Sequence, residues 1–98
     1  MVRKLTPAQA LQEYFRHRQR ELRILRSELD TVRNGWWIAK TVHAHDMWKH
    51  TAFLRKITGF IIEHKDLAQP TAEELAMLEH DLRVYESIHA EAWRCMQK

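Results

Sequence analysis

Apolar residues in the first third of the chain recur at alternating spacings of three and four. Ala8, Leu11, Phe15, Leu22, Leu25, Leu29 and Val32 make the series, and Arg18 fills its one missing place. Each helical residue turns the chain by about 100°, so this spacing puts them all on one helix face. Thr6-Pro7-Ala8-Gln9 is the start signal: Thr6 caps, Pro7 suits the first helical position, and Gln9 completes a capping box. Asn34-Gly35 is the stop, read as a left-handed cap.

A second helical pattern runs from about Trp36 to about Lys65 and ends at Asp66-Leu67-Ala68-Gln69-Pro70. Gly59 lies inside it and reads as a place of close helix packing or a slight bend. Thr71-Ala72-Glu73-Glu74 opens a third pattern with another capping box, and this one continues to about residue 97. Short connections make neighbouring helices antiparallel. The expectation is one all-α domain over residues 1–98, an up-down-up three-helix bundle with helices at about 6–33, 36–65 and 71–97.

The second and third patterns are wider than one stripe. Helix two carries Trp36, Ala39, Val42, Met47, Phe53, Leu54, Ile57, Phe60 and Ile61 on one arc, and Trp37, Ala44, Trp48 and Ile62 on another. Helix three carries Leu75, Leu78, Leu82, Tyr85, Trp93 and Met96 beside a second stripe of Met77, Val84, Ile88 and Cys95. Two neighbours per helix account for some of that width. The remainder points to a homodimer or partner surface, with Met77, Val84, Ile88 and Cys95 as the first candidate and Trp37 and Trp48 as the second.

Polar residues interrupt the stripes near mid-length. Arg18 sits in the first seam, His43, Asp46, His50 and His64 in the main arc of the second helix, and His89 in the third. Folding the chain at its turns brings Arg18, Asp46, His50 and His89 to adjacent heights. The favoured expectation is a structural network with Arg18 paired to Asp46, because an unpaired buried ion costs several kcal/mol. A metal site using Asp46 and His50 with His89 or His43 is the weaker alternative, since Arg18 repels a divalent cation. His43 and His45 point roughly 160° apart and cannot share a metal. A small anion pocket of Arg18, His50 and His89 is a further alternative.

Composition narrows the function. The 98 residues hold 16 Lys+Arg and 13 Asp+Glu, with 45% apolar and 30% charged, as in a globular chain. Two Gly and two Pro are too few for an all-β sandwich. One Cys excludes an internal disulfide framework and, with no secretory signal pattern at the start, points to the cytoplasm. Residues 1–35 carry net +4 and residues 67–98 net −3. Arg16, Arg20 and Arg23, with Arg26, Arg33 and the Arg3-Lys4 pair near them, form a basic face able to follow phosphates. No helix-turn-helix, zinc-finger or phosphate-loop motif accompanies it. Ser27 and Ser87 lie outside any nucleophile motif, so no enzyme and no cofactor is implied. The expectation is a small non-enzymatic binding protein that docks on a larger macromolecular partner and regulates or inhibits it. A nucleic-acid regulator using the basic face is the alternative, and a His/Asp metal or ligand bundle comes third. No membrane partner is expected.

Overall fold

The computed structural model describes residues 5–97, so the Arg3-Lys4 pair expected near the basic face lies outside the described residues. Four helices pack together as a bundle: α1 (Pro7–Asn34), α2 (Trp37–Glu63), the single turn α3 (Lys65–Ala68) and α4 (Ala72–Met96). No strand occurs among the described residues. The bundle measures 44 × 32 × 21 Å.

Both capping boxes form. Thr6 Oγ1 accepts from the Gln9 N–H at 3.2 Å, and Gln9 Oε1 accepts from the Thr6 N–H at 3.0 Å. Thr71 and Glu74 do the same at 3.1 and 2.9 Å. Each cap satisfies N–H groups that the first helical turn leaves unpaired, and one such cap is worth about 1 kcal/mol.

Three local expectations need correction. Gly35 is not a left-handed cap: its φ of −87° and ψ of 175° are extended. Its N–H donates to Thr31 O at 2.7 Å, and a Cβ there would lie 2.5 Å from that same oxygen. Glycine is therefore needed for space, not for handedness. The left-handed residue is Gln69 (φ 55°), which closes α3 before Pro70. That extra turn also shortens α2, which ends at Glu63 because His64 leaves helical geometry (φ −109°, ψ 32°). Gly59 marks no close approach, since a Cβ there would meet nothing within 4 Å.

The buried seams run at three-and-four spacing but not through all the expected residues. Leu11, Tyr14, Leu25 and Val32 are buried on α1, while Ala8 is exposed. On α2 the seam is Ala44, Met47, Thr51, Leu54, Thr58 and Ile61, while Trp36, Val42 and Phe53 face solvent. On α4 it is Leu78, Asp81, Tyr85 and Ala92. Thr51 and Thr58 turn their hydroxyls back to Met47 O and Leu54 O, both at 2.8 Å, so each buries a methyl and leaves no unpaired donor. Ala44, Thr51 and Thr58 are small and seven apart, which lets α2 approach its neighbours closely. The most extensive backbone packing is between α2 and α4, followed by α1 with α2.

Candidate functional site

The polar residues that the sequence places at the waist are dispersed into three separate contacts. Arg18 pairs with Asp81, not with Asp46. Its Nε donates to Asp81 Oδ2 at 2.6 Å and its Nη2 to Oδ1 at 2.9 Å, a bidentate grip. The Tyr14 hydroxyl donates to Asp81 Oδ2 at 2.5 Å. With that proton committed, the Tyr85 hydroxyl donates to Tyr14 Oη at 2.7 Å. Asp81 is 2% exposed, so two tyrosines and an arginine surround a carboxylate removed from water.

This arrangement favours structure over chemistry. Burial pushes the Tyr14 phenol far above its ordinary value, and the hydrogen bond to Asp81 adds to it. Burial also raises Tyr85, with the Arg18 charge opposing. The bond to Asp81 holds Arg18 firmly protonated. Both phenols are therefore held in their neutral form as hydrogen-bond donors.

Asp46 is exposed on α2. His50 reaches α1, its Nε2–H donating to Glu21 Oε2 at 2.5 Å while its Nδ1 lies 3.9 Å from Glu28. Burial lifts the Glu28 carboxyl above the usual carboxylate range; the His50 charge opposes this and Asp46 adds to it. His89 faces α2 instead, with Nδ1 at 3.1 Å from both Trp48 O and Thr51 Oγ1. Its ring stacks on Trp48 at 5.4 Å, and Trp93 packs on Trp48 at 5.9 Å. No hydrogen bond or ion pair links Arg18, Asp46, His50 and His89 to one another among the described residues. No group of three or more His, Cys, Asp or Glu among them is disposed to hold a metal ion. The His43 Nδ1 is buried without a hydrogen-bond partner.

The expected interface residues also separate. Met77 is exposed, whereas Val84, Ile88 and Cys95 are half-buried, and Ile88 and Cys95 pack against the core. Trp48 is half-buried within the α2–α4 contact. Trp37 is 74% exposed and its neighbour Trp36 80%, with Ile38 and Val42 also open to solvent beside them. Arg16, Arg20 and Arg23 are all exposed on α1. Arg16 and Arg20 make only loose contacts of 3.7 Å to Glu13 and Glu21.

A groove of about 900 Å³ lies between α1 and α2, floored by Ala10, Tyr14, Leu54, Ile57 and Phe60 and edged by Phe53. Its polar margin includes Arg20 and Lys56. No helix among the described residues is long and apolar enough to cross a membrane.

Asp81 and Tyr14 were absent from the residues the sequence singled out, and Tyr85 was read only as part of the apolar stripe of the third helix. The signal was present: Asp81 stands three after Leu78 and four before Tyr85, and Tyr14 stands three after Leu11 and four before Arg18. Both are seam positions. No family model, curated protein or solved structure matches the chain.

Proposed function

We propose that this chain is a small non-enzymatic helical binding protein that docks on a larger protein partner and regulates or inhibits it. Its cytoplasmic form is a homodimer of up-down-up bundles, with α3 a turn in the second connection. The pairs Arg18–Asp81 and Arg33–Glu91 support that course, because both partners advance together along α1 and α4.

The observation that carries the reading is the open aromatic patch at the start of α2. Trp36 and Trp37 hold most of their surface in water, and Ile38 and Val42 within the first two turns of α2 are more than half exposed as well. Apolar side chains clustered this way mark a contact surface, and tryptophan is the residue most enriched among energetic anchors. Four indoles from two copies, at roughly 150–250 Å² each, come close to the ~1,000 Å² a specific interface needs once Ile38 and Val42 are added. We assign this patch to the homodimer.

Light scattering of the purified chain is expected to give twice the chain mass, and Trp36→Ser/Trp37→Ser the single mass with helicity retained. Tagged chain crosslinked in its native cells is expected to carry a larger protein in fixed stoichiometry, whose activity changes when the chain is added back. A monomer at micromolar concentration that holds no stoichiometric partner would falsify the reading.

A further inference from the structure

The α1–α2 groove has the shape and charge of a helix-binding site, and we propose that it takes an acidic amphipathic helix of the partner protein. This deepens, and rests on, the reading of the chain as a binding protein. The groove's α1 wall runs from Gln9 to Glu21, about 18 Å at helical rise. That length matches three turns of a docked helix, and the site lies open along two packed helices. Its apolar surface comes from Ala10, Leu54, Ile57 and Phe60, with Phe53 left 59% exposed at the edge. An amphipathic helix buries its apolar face in such a groove through residues spaced three and four apart.

The rims decide the charge of the occupant. On α1, Arg16 and Arg23 lie four before and three after Arg20, so the three share one face beside the groove. On α2, Lys49 lies seven before Lys56, again on one face. Arg23, Lys49 and Lys56 have no ion-pair partner among the described residues. The two carboxylates lining the groove are balanced by Arg16 and Arg20, which leaves Arg23, Lys49 and Lys56 as the excess charge. Glu13 contacts Arg16 and His17, and Glu21 contacts His50 and Arg20. Cations therefore frame the apolar floor from both sides, and a helix with glutamate or aspartate on both flanks of its apolar stripe complements them.

The test uses three labelled probes: an 18-residue helix-forming peptide with a leucine stripe flanked by glutamates, the same stripe flanked by lysines, and a DNA duplex. Fluorescence anisotropy is read at low salt and at about 0.3 M, where exposed charges are largely screened. The glutamate peptide is expected to bind at least tenfold more tightly than the lysine peptide at low salt, with the gap narrowing as salt rises. Phe53→Asp is expected to weaken it at least tenfold, and Arg20→Glu/Lys56→Glu to invert the preference. Circular dichroism reports whether each variant is folded; if Phe53→Asp loses helicity, the charge-reversal pair carries the test alone. Equal binding of both peptides, binding indifferent to these substitutions, or binding of the duplex alone overturns the proposal. A chain that dimerises and holds its partner yet ignores the glutamate peptide refutes the groove assignment and leaves the binding-protein reading standing.

Discussion

Helix α4 is held on one side by α2 and on the other by α1, and the two contacts are built on different principles. Against α2 the backbones lie close, with Ala44, Thr51 and Thr58 supplying small surfaces and His89 and Trp48 stacking at the margin. Against α1 the backbones barely meet, and long polar side chains span the gap: Arg18 and Tyr14 to Asp81, and Arg33 to Glu91. The first contact draws its stability from packing and tolerates little change of volume. The second fixes the height of α1 on α4 through a carboxylate that accepts only where its donors stand. A buried ion pair adds little net stability over apolar residues, but it makes a wrong register expensive.

Breaking the polar side should have the largest effect. Asp81→Ala leaves the Arg18 charge without its partner and the Tyr14 phenol without its acceptor, and is expected to cost about 3–5 kcal/mol. Arg18→Met/Asp81→Leu removes the charged pair together and is expected to cost less, about 1–3 kcal/mol, chiefly for the buried phenol left without an acceptor. Urea unfolding of both variants measures the gap. A single-mutant loss as small as that of the pair would mean that α1 and α4 are held by something other than this network.

The same side carries a pH signature. The chain has two tyrosines, and both lie in the network. In the unfolded chain they ionise near pH 10, whereas in the folded chain burial raises both. The folded state then holds more protons than the unfolded state, so stability is at its full value below about pH 10 and falls as pH rises further. Two groups give a slope of up to about 2.7 kcal/mol per pH unit. Phenolate absorbance should therefore appear together with the loss of helical circular dichroism. Titration of either tyrosine in the folded chain would contradict the sealed geometry.

The packed side answers to volume. Ala44 is fully buried on α2, seven residues before the Thr51 that meets His89, and Ala44→Leu is expected to cost about 1–3 kcal/mol by overpacking the contact with α4. Ala76 is exposed on α4, and Ala76→Leu is expected to leave the thermal midpoint nearly unchanged. Similar losses from both would erase the distinction between the two sides of α4.

These two sides also differ in how far the sequence reveals them. The capping boxes at Thr6 and Thr71 are local, so four residues suffice to read each one. The helical content follows from periodicity for the same reason. Arg18 was legible as a polar break in a seam, but its partner lies 63 residues away, and partner choice depends on helix rotation. A rotation of one position decides whether Asp46 or Asp81 meets it, and a pattern of threes and fours cannot resolve that step. Asp81 went unnoticed because it lies among the acidic residues of α4, where a carboxylate resembles ordinary solvated charge. Trp36 misleads in the opposite direction: its place in the main apolar arc suggests core but it is 80% exposed, whereas Trp37, placed among the interface candidates, is 74% exposed.

The smallest effect comes from the second ion pair between the same two helices. Arg33 donates through Nε and Nη2 to the Glu91 carboxylate, both at 3.1 Å, with the same fork geometry as Arg18 on Asp81. Residue types, helices and hydrogen-bond pattern nearly match, and the difference is exposure. Water already solvates the Arg33 guanidinium, so losing its partner strands no buried charge, and dissolved salt screens the attraction. Arg33→Ala is expected to leave the urea midpoint within error of the parent, at low salt and high salt alike. A loss comparable to that of Asp81→Ala would show that charge pairing itself, rather than exclusion of water around Asp81, holds α1 against α4.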